Sequence, residues 1–309
     1  MVIAAENAAH FPRSIRVSEE VRESLSDGAA VVALETTLIA HGFPPGEGVA
    51  VGLESERRVR EAGAVPATIG VLDGEVRVGL DERELGRFDA EARKLGPRDV
   101  AAALVQGVVG ATTVGGTLVV ARAVGLRFMG TGGIGGVHRG WTQQPDVSSD
   151  LGELARTQVV VVASGAKSIL DVPATAEALE TLGVPTLGYR TDTLPRFYAA
   201  EGGPPVSARV ESAREAAEIA HAHWELGGAG VLVGNPPAQS LDDVDDLIEQ
   251  ALEEAGRVGV GGQGLTPFVL SWLHRESGGR TLEANRALVA DNAGLAAEIA
   301  VADAALAKR

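Results

Sequence analysis

The chain of 309 residues carries 42 acidic against 27 basic side chains, no cysteine, and 45% hydrophobic residues. This is the make-up of a globular protein long enough to bury about three quarters of its unfolded surface. A formal charge of −15 speaks against a nucleic-acid partner, which needs a basic face, and the lack of cysteine excludes disulfides, thiolate catalysis, zinc–thiolate sites and iron–sulfur clusters.

At the start, Met1 to Arg22 is broken by Glu6, His10, Pro12 and Arg13, so it lacks the apolar stretch of a signal peptide. Residues 1–17 read as an irregular extension, and the expected location is cytoplasmic. Ala29 to Leu34 is a short apolar run that predicts a buried strand. A helix is expected over Glu47 to Ala62, closed by Gly63. Ala67 to Leu72 and Glu75 to Val78 flank Asp73-Gly74, a two-residue hairpin signal that makes the sheet mixed.

From Val100 to Ala121 no residue is charged, a length that would span a bilayer. Gln106, Thr112, Thr113, Thr117 and glycines 107, 110, 115 and 116 interrupt it, so a buried helix–loop–helix is expected instead, with no membrane partner. Further strands are predicted at Leu126–Met129, Val159–Ala163, Pro185–Tyr189 and Gly230–Val233. Helices are predicted at Ser149–Arg156, Ala174–Leu182, Glu211–Leu226 and Leu241–Ala255, with a helix or helix pair over Thr281–Leu306. This alternation implies an α/β domain with helices on both faces of one sheet. No repeat or linker divides the chain, so 1–309 is expected to be a single domain.

Among the 27 basic residues only Lys94, Lys167 and Lys308 are lysine. A guanidinium stays protonated and attacks carbonyls poorly, whereas a desolvated amine can lose its proton and add to one. A lysine kept in so arginine-rich a chain therefore draws attention. Lys308 sits on a polar tail. Lys167 follows Val159-Val160-Val161-Val162-Ala163 and Ser164-Gly165-Ala166, beyond the carboxyl end of a buried strand, where open α/β sheets bind ligands. Burial there would lower its pKa, which makes it an amine nucleophile or, second, a phosphate cation. Glu35 occupies the matching place after Ala33-Leu34 and is the best acid/base candidate among the glutamates.

Gly130-Thr131-Gly132-Gly133-Ile134-Gly135 has the spacing of a dinucleotide loop, but Gly136-Val137-His138-Arg139-Gly140-Trp141 is poor helix material. The motif needs a helix to open there, so the segment is read instead as a glycine loop lying close to a ligand. Asp146-Val147-Ser148-Ser149-Asp150-Leu151 follows. Either serine caps the next helix, or the two hydroxyls and the helix start form an anion site. Asp146 is a candidate single carboxylate for a hard divalent cation that keeps its waters.

Ala33-Leu34-Glu35-Thr36-Thr37-Leu38-Ile39-Ala40-His41-Gly42, Pro66-Ala67-Thr68-Ile69, Gly110-Ala111-Thr112-Thr113-Val114, Thr131 to Arg139, Asp146 to Leu151 and Lys167-Ser168-Ile169-Leu170-Asp171 occur in this order, followed by Asn235-Pro236-Pro237, Thr266-Pro267-Phe268 and Glu283-Ala284-Asn285. The series resembles the pseudouridine-5′-phosphate glycosidase family, also called the indigoidine synthase A-like family. The resemblance implies a three-layer α/β/α fold with a central mixed, largely parallel sheet, a homotrimer, and reversible cleavage of the C–C glycosidic bond of pseudouridine 5′-phosphate to ribose 5-phosphate and uracil. It further implies Lys167 as the lysine that forms an imine with the ring-opened sugar, Glu35 as proton donor and Asp146 as ligand of a manganese ion (Mn2+). Substrate contacts fall on Lys94, Val114, Ser148, Ser149 and Asp150, with His138 and Asn285 nearby and Asn292 as a rival for Asn285. Such chemistry suits a lysine, because a C-glycoside offers no leaving heteroatom for an ordinary pair of carboxylates to protonate, while an imine provides an electron sink beside the bond. A class I aldolase-like phosphosugar lyase and a non-catalytic sugar-phosphate-binding regulator are the alternatives. Gly96-Pro97, Gly115-Gly116 and Gln263 depart from the family pattern.

Overall fold

In the computed structural model of the chain the described residues are 11–143, 145–241, 243–261 and 264–307; Gln263 and Lys308 lie outside them. The chain opens with β1 (Ile15–Val17), α1 (Glu19–Ser26), β2 (Val31–Glu35), α2 (Thr37–His41), α3 (Gly48–Glu61), β3 (Val65–Leu72) and β4 (Glu75–Val78). Next come α4 (Glu82–Leu85), β5 (Arg93–Leu95), α5 (Val100–Gln106), β6 (Gly110–Thr112), α6 (Val114–Val124), β7 (Phe128–Gly130) and α7 (Ser149–Leu154). They are followed by β8 (Val160–Ala163), α8 (Val172–Thr181), β9 (Thr186–Tyr189), β10 (Ala208–Val210), α9 (Ala213–Glu225), β11 (Val231–Gly234), α10 (Val244–Arg257), α11 (Leu265–Glu276) and α12 (Arg280–Leu306).

The strands form one sheet in the order β1-β4-β3-β2-β7-β8-β11-β9-β10, with β6 also on β3 and β5 on β6. Only the β3–β4 and β3–β6 pairings are antiparallel, which gives the mixed, largely parallel sheet expected. The β3–β4 turn has positive φ at both Asp73 (55°) and Gly74 (77°), the backbone of a tight hairpin.

Alternation along the central strands sorts the core into two layers. Val32, Leu34, Val160, Val162, Val231 and Val233 pack with Ala216, Ala220 and Trp224 of α9 and Ala296, Ala297 and Ile299 of α12. Ala33, Met129, Val161, Ala163 and Leu232 face the other way, onto Leu118 of α6, Leu151 and Leu154 of α7, and Leu179 of α8. The result is a three-layer α/β/α fold, and no helix among the described residues is long and apolar enough to cross a membrane.

Several expectations are corrected. The uncharged run from Val100 to Ala121 is helix–strand–helix, because β6 takes up the free edge of β3 where the sequence offered only a Gly-containing loop. Ile15–Val17 pairs in parallel with β4, so the irregular extension does not reach residue 17; residues 1–10 are outside the described part. Of the two readings of the carboxy-terminal pattern, a helix or a helix pair, the first holds: it is a single helix, α12. Its alanines let it approach the sheet closely: a Cβ placed on Gly130 would lie 2.7 Å from the Ala293 Cα.

Candidate active site

Three parallel strands lie side by side in register, Leu34 beside Gly130 and Gly130 beside Val162. Glu35, the glycine loop and the turn to Lys167 therefore leave the sheet together at its carboxyl edge, the place where such sheets bind ligands. Gly165 makes that turn at φ +80°, and a Cβ there would meet the Pro195 carbonyl oxygen at 1.8 Å, so a side chain is sterically excluded. The glycine loop then runs beside the turn: Ile134 N donates to the Gly165 carbonyl and Lys167 N to the Ile134 carbonyl, both at 3.0 Å.

No helix opens within the glycine loop, which disposes of a dinucleotide site. The density of glycine mostly accommodates protein neighbours rather than a ligand. Gly133 lies under the Phe197 ring, and Gly136 lies against Thr175. Of these loop glycines Gly135 lines the adjoining cavity.

That cavity has a volume of about 370 Å³. It brings together Lys94, His138, Asp146, Ser148, Ser149, Asp150 and Lys167 from the residues singled out in the sequence. Arg98, Asp99, Thr113 and Thr266 also line it; none was assigned a role from the sequence, because the turn after β5, the N-cap of α6 and the start of α11 meet only in the fold. A second cavity of about 640 Å³ lies beyond Thr266, at Pro267, but its wall is mainly apolar, including Ile39, Phe43, Phe88 and Leu270, and holds no lysine.

Glu35 does not line this cavity; it is 3% exposed and borders a separate small cavity with Leu38, Val51 and Thr68, near enough to Lys167, Lys94 and Asp150 to feel their charges. Thr36 and Thr37 hold it there by anchoring the strand end, their hydroxyls donating to the carbonyls of Ile69 (2.8 Å) and Ala111 (3.0 Å). Thr131 donates to Glu35 Oε1, while Oε2 has no hydrogen-bond partner. Burial raises the carboxyl above its usual range, against the opposing pull of the Lys167 charge and the Thr131 hydroxyl. Burial thus favours the protonated form, with one oxygen held by Thr131 and the other unpartnered.

Lys94 is carried by β5, and burial, with the neighbouring Lys167 charge adding to it, lowers its amine below the ordinary lysine range. Ser148 is the N-cap of α7, accepting from Asp150 N at 3.2 Å, so the capping role holds for it. Ser149, at the first helical position, is exposed to the cavity. Asp150 is buried, and its two oxygens accept from Gly115 N and Gly135 N, each at 2.8 Å. It ties the start of α6 to the glycine loop. His138 Nδ1 stands 3.9 Å from Asp146 Oδ2, and burial lowers the imidazole below its usual pKa.

The remaining predicted residues lie away from the cavity. The Val114 side chain is in the core, and only its backbone, at the start of α6, is near. Asn292 is fully committed: its amide donates to the Thr131 carbonyl (2.8 Å), the Gly132 carbonyl (3.3 Å) and Ser164 Oγ (3.1 Å), and its oxygen accepts from Asn235 (3.0 Å). Asn285 donates to the Gly42 carbonyl at 3.5 Å and its buried Oδ1 has no partner. Of the two asparagines, Asn285 retains capacity for a ligand.

The model of the indigoidine synthase A-like family matches residues 20–302, which takes in every element from α1 to most of α12. The chain belongs to that family. It is 51% identical to the pseudouridine-5′-phosphate glycosidase of Streptomyces griseus subsp. griseus, over 93% of this chain and 92% of that one, and 48% identical to that of Sorangium cellulosum over 93% of each. Among solved structures, the prealnumycin C-glycosynthase AlnA in complex with ribulose 5-phosphate superposes with a TM-score of 0.88 at 40% identity, covering 96% of this chain and all of AlnA. An indigoidine synthase A-like protein of Thermotoga maritima gives 0.85 at 38% identity, covering 94% of this chain and 98% of the other. In this family member the departures at Gly96-Pro97 and Gly115-Gly116 are packed on one another. A Cβ on Gly115 would lie 2.9 Å from Pro97 Cγ, and one on Gly116 would lie 2.3 Å from the Leu95 carbonyl oxygen.

Proposed function

We propose that this protein is a pseudouridine-5′-phosphate glycosidase, interconverting pseudouridine 5′-phosphate with ribose 5-phosphate and uracil through an imine on Lys167. The observation that carries this reading is an amine at the carboxyl end of a buried strand, close enough to the buried carboxyl of Glu35 to act on its charge, in a family whose relatives bear that name. In the condensing direction, the Lys167 amine adds to the C1 aldehyde of open-chain ribose 5-phosphate and water leaves, giving a protonated imine. Uracil C5 supplies the electron pair for the new C–C bond, the C=N pair moves onto nitrogen, and C5 then loses its proton. The C4 hydroxyl oxygen next displaces the lysine nitrogen from C1, its proton passing to the departing amine, which closes the ribose ring and frees Lys167. Cleavage is the reverse: Glu35 returns a proton to C5, the bonding pair stays with uracil, and the nitrogen lone pair reforms the imine. Lys94, Ser148 and Ser149 offer a cation and hydroxyls for the 5-phosphate. By the resemblance, Asn285, whose buried Oδ1 has no partner, is the asparagine assigned to an N–H of the base, although it lies outside the cavity wall.

Asp146 is half-exposed at the cavity, with His138 as a neutral neighbour. Among the described residues there is no cluster of three or more acidic or histidine side chains that could hold a metal. One carboxylate fits a weakly held manganese ion that keeps most of its waters. Bound there, it would supply positive charge for oxygens of the sugar phosphate. Chelator should then lower activity and manganese restore it, and full activity of Asp146→Ala in chelator would remove the metal from the account. The resemblance also supports a homotrimer, the single continuous sheet supports one domain, and a substrate that cannot cross a bilayer unaided supports a cytoplasmic location.

The decisive experiment is borohydride trapping with ribose 5-phosphate. A stable sugar-phosphate adduct is expected on the peptide containing Lys167, and Lys167→Arg should lose turnover by about 10⁴-fold or more while remaining folded. An adduct on Lys94 would refute the assignment.

A further inference from the structure

The charges around the cavity do not balance a bound phosphate with the residues so far assigned to it. A sugar phosphate carries about −1.5 to −2 near neutral pH. Lys167 is engaged at C1, the opposite end of the sugar, and Lys94 brings at most one positive charge, weakened by burial. Even with a doubly charged manganese ion on Asp146, the three acids of the same wall, Asp99, Asp146 and Asp150, more than cancel that ion's charge. The remaining cation on that wall is the guanidinium of Arg98.

Arg98 differs from the surface arginines that are locked in paired hydrogen bonds. Arg87 holds Asp73, and Arg280 holds Asp243, through two hydrogen bonds each. The Arg98 side chain is 84% exposed, and its nearest carboxylate, Asp99, stands 3.6 Å from Nε, too far for a hydrogen bond. Its backbone, in contrast, is well anchored. Asp99 N donates to the Gly96 carbonyl (3.0 Å) and Asp99 Oδ2 accepts from Gly96 N (3.1 Å), closing a tight turn. Gly96 rests near Ser149, where a Cβ would lie 3.5 Å from Oγ, and Pro97 rests on Gly115. A stiff turn wedged between the starts of α6 and α7 thus presents a guanidinium that is only loosely paired, with Asp99, at the cavity mouth.

We infer that Arg98 is a further phosphate-binding and specificity-determining residue, folding over the cavity to grip the 5-phosphate of the substrate through paired N–H···O bonds while Lys94 neutralises it from below. The inference rests on the cavity being the sugar-phosphate site proposed above. An arginine fork suits this task because it matches two phosphate oxygens at once, and its exposure leaves it free to move.

The test measures condensation of uracil with ribose 5-phosphate, with inorganic phosphate as competitor. Arg98→Ala should raise the KM for ribose 5-phosphate and the Ki of inorganic phosphate together by about tenfold, leaving kcat within about twofold. Arg98→Lys should recover part of the loss, since it restores charge without the fork. Circular dichroism checks that this exposed substitution leaves the fold intact. Unchanged KM and Ki in Arg98→Ala, or a fall confined to kcat, overturns the role of Arg98 while leaving the phosphate site in place. Failure of inorganic phosphate to compete in the wild-type protein would overturn the site itself and the inference with it.

Discussion

The floor and the mouth of the cavity are built on opposite terms. On the floor, Thr131, Asn292, Ser164 and Asp150 are buried and bonded to one another or to nearby backbone. At the mouth, Arg98, Asp146 and Ser149 are at least partly exposed and largely uncommitted. An unmet polar group costs more in the interior than at the rim, so the floor can hold a geometry but has little capacity left for recognition. Glu35 Oε2 is the exception, a buried oxygen without a partner, on the residue proposed as the proton donor. Floor substitutions should therefore damage chemistry and stability, and mouth substitutions should change affinity.

The largest effect expected from breaking the floor short of the lysine itself is Glu35→Gln. Glutamine keeps an oxygen for Thr131 but has no proton to give, so kcat for cleavage should fall by about 10²- to 10⁴-fold. The wild-type protein should lose cleavage activity as pH rises through the raised pKa of Glu35, because the protonated form is the donor. Stability follows the same sign. A carboxyl whose folded pKa is raised stabilises fully below its unfolded pKa, and that contribution is lost as pH rises through the folded one. Denaturation at pH 5 and pH 9 should thus show Glu35→Gln gaining on wild type as pH increases. A variant that keeps its activity, or an unaltered pH profile, would deny Glu35 the donor role.

Intermediate effects should separate the two asparagines of α12. Asn292→Ala strands Asn235, Ser164 and two loop carbonyls, and is expected to cost about 3 kcal/mol in urea denaturation. Asn285→Ala removes one long bond and should cost about 1 kcal/mol while raising the KM for uracil. Equal stability losses would mean that the Asn292 network does not carry the load ascribed to it.

The smallest effect sharpens the boundary between floor and mouth. Gly115→Ala pushes a methyl against Pro97 and, at 3.0 Å, Asp150 Oδ1, which should cost about 1 kcal/mol net of the gain in helix propensity. Pro97→Ala should relieve part of it, giving a non-additive double-mutant cycle. Strict additivity would show the two family departures to be independent.

Much of this arrangement is already determined by the sequence. Hydrophobic runs such as Val159–Ala163 are too apolar to lie anywhere but in a buried strand, and helices between them force a layered α/β fold. The rarity of lysine and the position of Glu35 and Lys167 at strand ends singled out the groups proposed to react, since the carboxyl edge of a parallel sheet follows from strand direction alone. Tertiary structure alone decided the rest. The β6 strand exists because β3 offered it an edge. The glycines 133 and 136 serve Phe197 and Thr175, from elements distant in sequence, so local composition could not distinguish protein neighbours from a ligand. Asn285 and Asn292, two turns apart on one helix, differ only in what the sheet brings to them. Arg98 reaches the cavity because Pro97 packs on Gly115, a contact between two segments whose approach no local pattern encodes.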